Sequence, residues 1–188
     1  MTAWTTPALR GERITLRPLA LEDVDPLWAL VQEPEGRRLT GTHHEFTRGE
    51  IGAYVATRAE QDDRLSFAIA DPATGVFLGE LVLLDHDEQN RSANLRIALA
   101  AVAQGGGRGT EALRLILAYA FDRLGLNRVG LDVFAFNARA IHVYERIGFR
   151  HEGRVRDALW WDGEPHDSLL MEILAPEWAV QQEQPGGQ

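Results

Sequence analysis

The sequence contains no cysteine and no apolar run long enough to cross a membrane. The absence of cysteine excludes disulfides, thiolate-bound metals and a cysteine nucleophile. No apolar stretch approaches the roughly 20 residues that a membrane helix requires. The opening M-T-A-W-T-T-P-A-L-R lacks the charged and apolar regions of a signal peptide. We therefore expect a soluble cytoplasmic protein with no membrane partner.

The chain is acidic and has the composition of one globular domain. Its 188 residues suit a single domain, and 45% of them are hydrophobic, which is enough to build a core. The net charge of −9 argues against non-specific binding to nucleic acid. The same charge is compatible with a cationic partner such as an amine. We expect a small-molecule or peptide amine and no nucleic acid.

Apolar patterns divide the chain into alternating strands and helices. Strand patterns cover residues 13–17, 65–70, 76–84, 93–100 and 129–133, and two more strands are predicted within 149–174. Helical patterns cover residues 19–31, a segment from Ile51 to Ala59, 110–124 and a short helix that begins at Asn137 and ends at Gly148. The polar stretch 34–48 is predicted to be irregular, and the tail 181–188 to be disordered. The order predicts one α/β (α+β) domain over residues 8–178, with flexible tails at 1–7 and 179–188.

The stretch Q-G-G-G-R-G-T-E-A-L, residues 104–113, joins a predicted strand to a predicted helix. Unpaired amides at a helix start attract anions, and glycine lets phosphate oxygens approach the backbone. A nucleotide-triphosphate loop would need a lysine that is missing here, and a dinucleotide loop would need a third glycine where Thr110 stands. The remaining alternatives are another phosphate-binding loop or a flexible glycine-rich connection.

A third phosphate-loop pattern, Q-x-x-G-x-G over Gln104–Gly109, resembles the acetyl-CoA loop of the GNAT superfamily of N-acetyltransferases. The downstream N-A-R-A-I-H-V-Y-E-R-I-G-F, Asn137–Phe149, is similar to the second motif of that superfamily. The likeness is greatest to the RimJ/RimL-like branch, which includes ribosomal-protein and spermidine acetyltransferases. It implies the GNAT-like acyl-CoA N-acyltransferase fold, with a mixed, mostly antiparallel sheet flanked by helices. It also implies acetyl transfer from acetyl-CoA to a primary amine by direct attack.

The resemblance assigns the cofactor site to the loop and to the strand before it. Backbone amides of the loop would hold the CoA pyrophosphate, which implicates Gln104, Gly105, Gly106, Gly107, Arg108, Gly109 and Thr110. The strand residues Ile97, Ala98 and Leu99 would offer backbone groups to the pantetheine arm. Asn137 would contact the same arm, although it also suits a simple helix N-cap.

The resemblance also assigns the acid of the reaction to Tyr144, which would protonate the departing CoA sulfur. Periodicity alone places Tyr144 equally well on the apolar face of its helix. The general base is open, because Asn94 stands where many relatives of this superfamily carry glutamate. Glu80 and Asp85 are the candidate substitutes, and each is also a plausible solvated carboxylate.

Several further features have two readings. The run Asp85-His86-Asp87-Glu88 has the composition of a metal site but reads as a solvated loop, so we expect no metal. The pairs His43-His44 and Trp160-Trp161 could border the acceptor pocket or lie on the surface, and a homodimer is common in this branch. The alternative functions are a non-catalytic acyl-CoA-binding module and a nucleotide-binding regulator. Aminoglycosides and amino acids also stay open as acceptors.

Overall fold

The computed structural model describes residues 6–58 and 64–183, which form one eight-stranded sheet with six α-helices. The strands are β1 (Leu9–Arg10), β2 (Thr15–Pro18), β3 (Leu65–Ala70), β4 (Phe77–Asp87), β5 (Ser92–Leu99), β6 (Arg128–Phe134), β7 (Arg150–Trp161) and β8 (Glu164–Leu174). The helices are α1 (Val24–Gln32), α2 (Pro34–Thr40), α3 (Arg48–Ala56), α4 (Arg108–Asp122), α5 (Ala138–Ile147) and α6 (Ala175–Glu183). Among the described residues, no helix is sufficiently long and apolar to cross a membrane.

The sheet has the order β1-β2-β3-β4-β5-β6-β8-β7, and every neighbouring pair is antiparallel except β5 and β6. The parallel pairing covers only Ser92, Ala93 and Asn94, which face Arg128, Val129 and Gly130. Beyond this point β5 stays with β4 and β6 stays with β8. The sheet therefore opens into a V-shaped cleft, and the expected mixed, mostly antiparallel architecture is confirmed.

Gly130 lies at the apex of this cleft. A Cβ placed on Gly130 would come within 3.0 Å of Asn94 Oδ1 and 3.6 Å of Glu172 Cγ. A side chain at position 130 would therefore press on the side chain of Asn94 at the last parallel pair. Glycine at this position accommodates Asn94 where β5 and β6 meet before they diverge.

Two helical layers cover the two faces of the sheet. On one face α4, α5 and α6 pack on a large core, and Phe121 of α4 contacts Trp178 of α6 at 6.2 Å between ring centroids. On the other face α1 and α3 pack on a small core of Val24, Leu27, Leu30, Ile51 and Val55. Strand β5 contributes to both, since Ala98 packs in the small core while Ile97 and Leu99 pack against the large one.

Two helices lie where the sequence predicted none. Helix α2 falls inside the supposedly irregular stretch; it begins with Pro34 at its first position and ends at Gly41, which has a φ of +63°. None of its residues is buried, so it has no apolar period to detect. Helix α6 extends to Glu183 and contradicts both the expected tail boundary at 179 and the disorder predicted for 181–183.

Other boundaries differ by only a few residues. The first predicted helix begins later, because Leu21–Asp23 forms a 3-10 turn before α1. Strand β4 continues to Asp87 instead of ending at residue 84. The predictions for residues 1–5 and 184–188, and for the end of the second helical pattern at Ala59, fall outside the described residues.

Candidate active site

The glycine-rich loop forms a concave turn at the start of α4. Gly105, Gly106 and Gly107 have φ angles of +92°, +60° and +79°, which residues with a Cβ rarely adopt. Gly107 is the N-cap of α4, so the amides that follow it lie at the positive end of the helix dipole. A Cβ on Gly109 would lie 3.1 Å from Leu99 Cδ1, so this glycine lets the helix pack closely against β5. The arrangement fits an anionic group such as a pyrophosphate.

The open edge of β5 lies next to this loop. The amide of Ala100 donates to the carbonyl of Leu78 at 2.9 Å, so alternate residues of β5 point toward β4. A Cβ on Gly79 would lie only 2.2 Å from the Ala98 carbonyl oxygen, which confirms that Ala98 faces β4. Ile97 and Leu99 therefore carry the backbone groups that face the cleft. The expectation that Ala98 offers its own backbone groups there is wrong, because β4 occupies them.

The N-terminus of α5 lies across the cleft from the loop. Asn137 accepts a hydrogen bond from the amide of Ala140 at 3.2 Å, so it caps the helix. Arg139 Nη1 donates to Gln104 Oε1 at 3.0 Å and joins the start of α5 to the entrance of the glycine loop. The residues that the resemblance assigned to the cofactor thus gather at one end of the cleft.

Tyr144 is buried in the large core and projects from α5, with its ring edge-to-face against Phe149 at 5.8 Å. Burial, followed by the charge of nearby Asp132, raises the pKa of Tyr144 to about 12. The phenol is therefore neutral at physiological pH and can donate a hydrogen bond. A role in the core and a role in the reaction are compatible for Tyr144, since its ring packs in the large core while its hydroxyl keeps a proton to donate.

Asp132 is a candidate site residue that the sequence reasoning missed. It lies on β6 two residues beyond the last parallel pair, in the part of the strand that borders the cleft, and it is exposed. Its neighbours Leu131 and Val133 are buried in the large core, so alternation directs Asp132 to the opposite face. That alternation is the signal that could have identified it.

Glu80 lies on the face of the sheet that α1 and α3 cover. It pairs across the sheet with Ala98, and its carboxylate accepts a 2.7 Å hydrogen bond from the Tyr54 hydroxyl of α3. Burial raises the pKa of Glu80, while the hydrogen bond from Tyr54 and the charge of Arg58 oppose that rise. The carboxylate is thus held in a fixed position beside the cleft strand β5. Tyr54 was not anticipated, since α3 is distant from β4 in the sequence.

Asp85 occupies a different position at the apex of the cleft. It lies at an irregularity of β4, has a φ of +55° and is exposed. Its Oδ2 accepts a 3.1 Å hydrogen bond from Asn94 Nδ2. Asn94 and Ala98 are four residues apart, so Asp85 and Glu80 lie about 13 Å apart along the strand direction. The two candidate carboxylates therefore do not form one group.

Aromatic side chains border the cleft on the face that holds Glu80. Trp161 of the β7–β8 hairpin is half-buried and stacks on His43 at 4.9 Å, whereas Trp160 is 61% exposed. We call His43, Trp161 and Phe136, which lies in the β6–α5 connection, the aromatic rim. Arg38 of α2 lies 4.4 Å above the ring of Phe136. His44 instead contacts Glu50 at 2.9 Å and is exposed.

The charged run at the end of β4, residues 85–88, does not gather into a ligand set. Within residues 6–58 and 64–183, no three histidine or carboxylate side chains are close enough to hold a metal ion together. Asp87 instead accepts hydrogen bonds from the backbone and side chain of Asn90, at 2.9 and 2.6 Å. These contacts shape the turn that leads into β5.

Comparisons with known proteins agree with this geometry. A family model described as an acetyltransferase (GNAT) domain matches residues 13–150. The "Putative ribosomal N-acetyltransferase YdaF" of Bacillus subtilis is 38% identical over 173 residues, covering 89% of this chain and 94% of that protein. The spermidine N(1)-acetyltransferase of Escherichia coli K12 is 31% identical over 173 residues, covering 92% of each chain.

A solved structure shows the same fold. The crystal structure of spermidine N-acetyltransferase from Vibrio cholerae, in complex with CoA and spermine, superposes with a TM-score of 0.83. It is 24% identical in sequence and covers 90% of this chain and 99% of the other. At that level of identity the likeness establishes the fold, with its mixed sheet flanked by helices.

Proposed function

This chain belongs to the GNAT acetyltransferase family, in its RimJ/RimL-like branch, and from this premise we propose how its cleft acts and which amine it acetylates. Its family and its relatives make it an acetyl-CoA-dependent N-acetyltransferase. The observation that carries the proposal is the separation of β5 from β6 beyond Asn94. The cleft is open to both faces of the sheet. The glycine loop leads into α4 on one face, and Glu80 contacts α3 on the other.

The loop and the open edge of β5 hold acetyl-CoA. Amides of Gly105–Thr110 bind the pyrophosphate, with Gln104 at the loop entrance and Asn137 at the opposite wall of the cleft. The backbone groups of Ile97 and Leu99 pair with the pantetheine arm, which takes the place of the missing strand. Bound acetyl-CoA supplies the acetyl thioester. The Vibrio cholerae enzyme supports this assignment, because a protein of the same fold holds CoA.

Tyr144 acts as the general acid. A free thiol has a pKa of about 8.5, below that of a phenol, so the phenol keeps its proton until negative charge develops on sulfur. The pKa of Tyr144, raised to about 12, keeps the phenol protonated and favours a hydrogen bond to the departing sulfur over complete proton transfer. Tyr144 then stabilises the departing sulfur by donating its proton or a hydrogen bond.

Glu80 acts as the general base, directly or through one water. An amine with a pKa near 10 is mostly protonated at neutral pH and must lose a proton before it attacks. Glu80 has a raised pKa, a fixed position and a place on the face opposite the glycine loop. Asp85 is exposed and is engaged by Asn94, about four residues farther down the strand. These contrasts favour Glu80 over Asp85.

The acceptor is a cationic primary amine, with an aliphatic polyamine as the first candidate. Asp132 and Glu80 supply negative charge near the cleft, and the aromatic rim offers faces to an ammonium group. The 31% identical spermidine acetyltransferase supports this choice. A protein N-terminus is the second candidate, because the 38% identical relative carries a ribosomal N-acetyltransferase name.

An acceptor screen tests the proposal. The protein is incubated with acetyl-CoA and with spermidine, spermine, a peptide with a free N-terminus or an N-terminally blocked lysine peptide, and products are detected by mass. The chain contains no lysine, so any acetyl-lysine signal belongs to the added acceptor. We expect acetylated polyamine as the main product. Binding of CoA without turnover of any amine would instead indicate a non-catalytic acyl-CoA-binding module.

Matched carboxylate variants test the base. Glu80→Gln is expected to lower kcat/KM by at least about 100-fold, in the range of general base catalysis. Activity of the parent protein should fall as the pH drops through the raised pKa of Glu80, because the protonated carboxyl accepts no proton. That acid limb should disappear in Glu80→Gln and persist in Asp85→Asn. An unchanged pH profile in Glu80→Gln, with a lost limb in Asp85→Asn, would assign the base to Asp85.

A further inference from the structure

Three arginine side chains from separate elements surround the glycine loop. Arg13, in the turn between β1 and β2, places Nη1 3.8 Å from the Cβ position of Gly107. Arg108 places Nη1 4.0 Å from the Cβ position of Gly106. Arg139 donates to Gln104 at the entrance of the loop. We refer to Arg13, Arg108 and Arg139 as the arginine cluster.

The arginine cluster is not neutralised by the protein. Among the described residues, no carboxylate lies within ion-pair distance of any of its members, although Arg108 interacts at longer range with Asp71. Some exposed arginines elsewhere do have carboxylate partners, as in Arg128 with Glu172 and Arg154 with Asp167, and what distinguishes the cluster is that three such side chains lie around one loop. A concentration of uncompensated positive charge in a chain of net charge −9 indicates an anionic ligand at this position.

The position of Arg13 is fixed by a contact between distant parts of the chain. Glu111, in the first turn of α4, accepts hydrogen bonds from the backbone amides of Glu12 and Arg13, the latter at 3.1 Å. A Cβ on Gly11 would lie 2.3 Å from Glu111 Oε1, so a side chain there would displace the carboxylate from this contact. The same contact engages the negative charge of Glu111, which would otherwise repel an anion at the helix start.

We propose that Arg13 binds a phosphate of acetyl-CoA beside Gly107, and that Glu111 positions Arg13 by binding the turn that carries it. The inference rests on the proposed function, which assigns the loop to CoA. Guanidinium groups bind phosphate oxygens through two parallel hydrogen bonds, and they are always charged. CoA offers two sources of that chemistry near the loop, its pyrophosphate and its 3′-phosphate. The β1–β2 turn thereby becomes part of the cofactor site, although it lies far from the loop in the sequence.

Calorimetric binding of CoA to the whole chain tests the role of Arg13. Arg13→Gln is expected to raise the Kd for CoA about three- to tenfold, the range for one exposed charged contact, with a shallower dependence of Kd on salt. The matched control is Arg123→Gln, which removes the same charge at the far end of α4, about 22 Å from the loop. The control should change Kd less than about twofold. Equal values of Kd for Arg13→Gln and the parent would overturn the proposal.

A second ligand identifies the phosphate. Dephospho-CoA lacks the 3′-phosphate and keeps the pyrophosphate. If the penalty of Arg13→Gln disappears with dephospho-CoA, Arg13 binds the 3′-phosphate, and if it persists, Arg13 binds the pyrophosphate. Either result supports the proposal. The absence of a penalty with both ligands contradicts it.

Coupling between two variants tests the role of Glu111. Glu111→Ala should raise the Kd for CoA as Arg13→Gln does, and the double variant should bind no more weakly than the weaker single variant, because both disrupt one contact. Additive losses would show that Glu111 acts independently of Arg13. Thermal unfolding of each variant confirms that the protein is folded at the binding temperature.

Gly109→Val separates failure of this inference from failure of the proposed function. A side chain at position 109 would press on Leu99 and displace the loop, so Kd should rise at least about tenfold. If Gly109→Val weakens CoA binding and Arg13→Gln does not, the loop binds CoA and the role of Arg13 is wrong. If neither variant changes Kd, the assignment of the loop itself is wrong.

Discussion

The two faces of the sheet are built in different ways. On the face of α4, α5 and α6, the core is large and contains fully buried side chains such as Leu113, Ile116 and Leu117. On the face of α1 and α3, the core consists of five buried residues, and α2 has none. The proposed cofactor loop belongs to the thick layer, and the aromatic rim belongs to the thin one.

The two candidate sites also differ in composition. The proposed cofactor site consists of backbone groups, and the proposed acceptor site consists of side chains. The loop and the edge of β5 present amides and carbonyls whose positions follow from a helix start and an unpaired strand. The opposite face presents Glu80, Asp132 and Trp161, which come from three separate strands. A donor site made of backbone groups and an acceptor site made of side chains are therefore compatible within one domain.

Leucine truncations in the two cores should produce the largest effects. Leu117→Ala in α4 is expected to lower the free energy of unfolding by about 3–5 kcal/mol, since its densely packed surroundings cannot fill the cavity. Leu27→Ala in α1 should cost about 2–3 kcal/mol, because a thin layer can relax around the lost atoms. Urea unfolding measures both. A loss for Leu27→Ala that equals or exceeds that for Leu117→Ala would remove the distinction between the layers.

Tyr144→Phe tests whether a residue of the large core also takes part in the reaction. The variant keeps the packed ring and loses the hydroxyl, so kcat should fall at least about 100-fold. The Kd for acetyl-CoA should change less than about twofold, since the loop is untouched. Steady-state kinetics and calorimetry give the two values. Full activity would restore the view that Tyr144 is only a core residue.

Two neighbouring tryptophans offer the smallest and most selective test. Trp161→Ala removes the ring that stacks on His43 and should raise the KM for the acceptor amine about five- to tenfold, as expected for one aromatic contact with a cation. The control is Trp160→Ala, which removes an equally large ring from an exposed position. Neither variant should alter acetyl-CoA binding. Equal effects of the two variants on acceptor KM would place the acceptor elsewhere.

The cofactor side could be predicted from the sequence because its features are local. Three consecutive glycines before an amphipathic helix define a helix start, and the Asn137 cap is likewise encoded in adjacent residues. The order of strands and helices followed from apolar alternation. The family and the acetyltransferase activity inferred from these motifs are confirmed, while the roles of the individual site residues stay predictions.

The acceptor side could not be predicted because its features depend on tertiary contacts. The hydrogen bond from Tyr54 to Glu80 joins residues 26 positions apart. The one long-range contact beside the cofactor loop, from Arg13 to Glu111 across 98 positions, was missed for the same reason. Helix α2 has no buried residue, so its sequence carries no apolar period that could predict it. The sequence did not predict α6, because the burial of Trp178 against Phe121 is itself a tertiary contact.

The last parallel pair, Asn94 and Gly130, also affects the width of the cleft. Strand β5 extends five residues, or roughly 16 Å, beyond this point without pairing with β6. A rotation of β5 by a few degrees about this point would move its far end by about an ångström. The far end carries the glycine loop. The pairing of Asn94 with Gly130 therefore sets the distance between the proposed cofactor loop and strand β6.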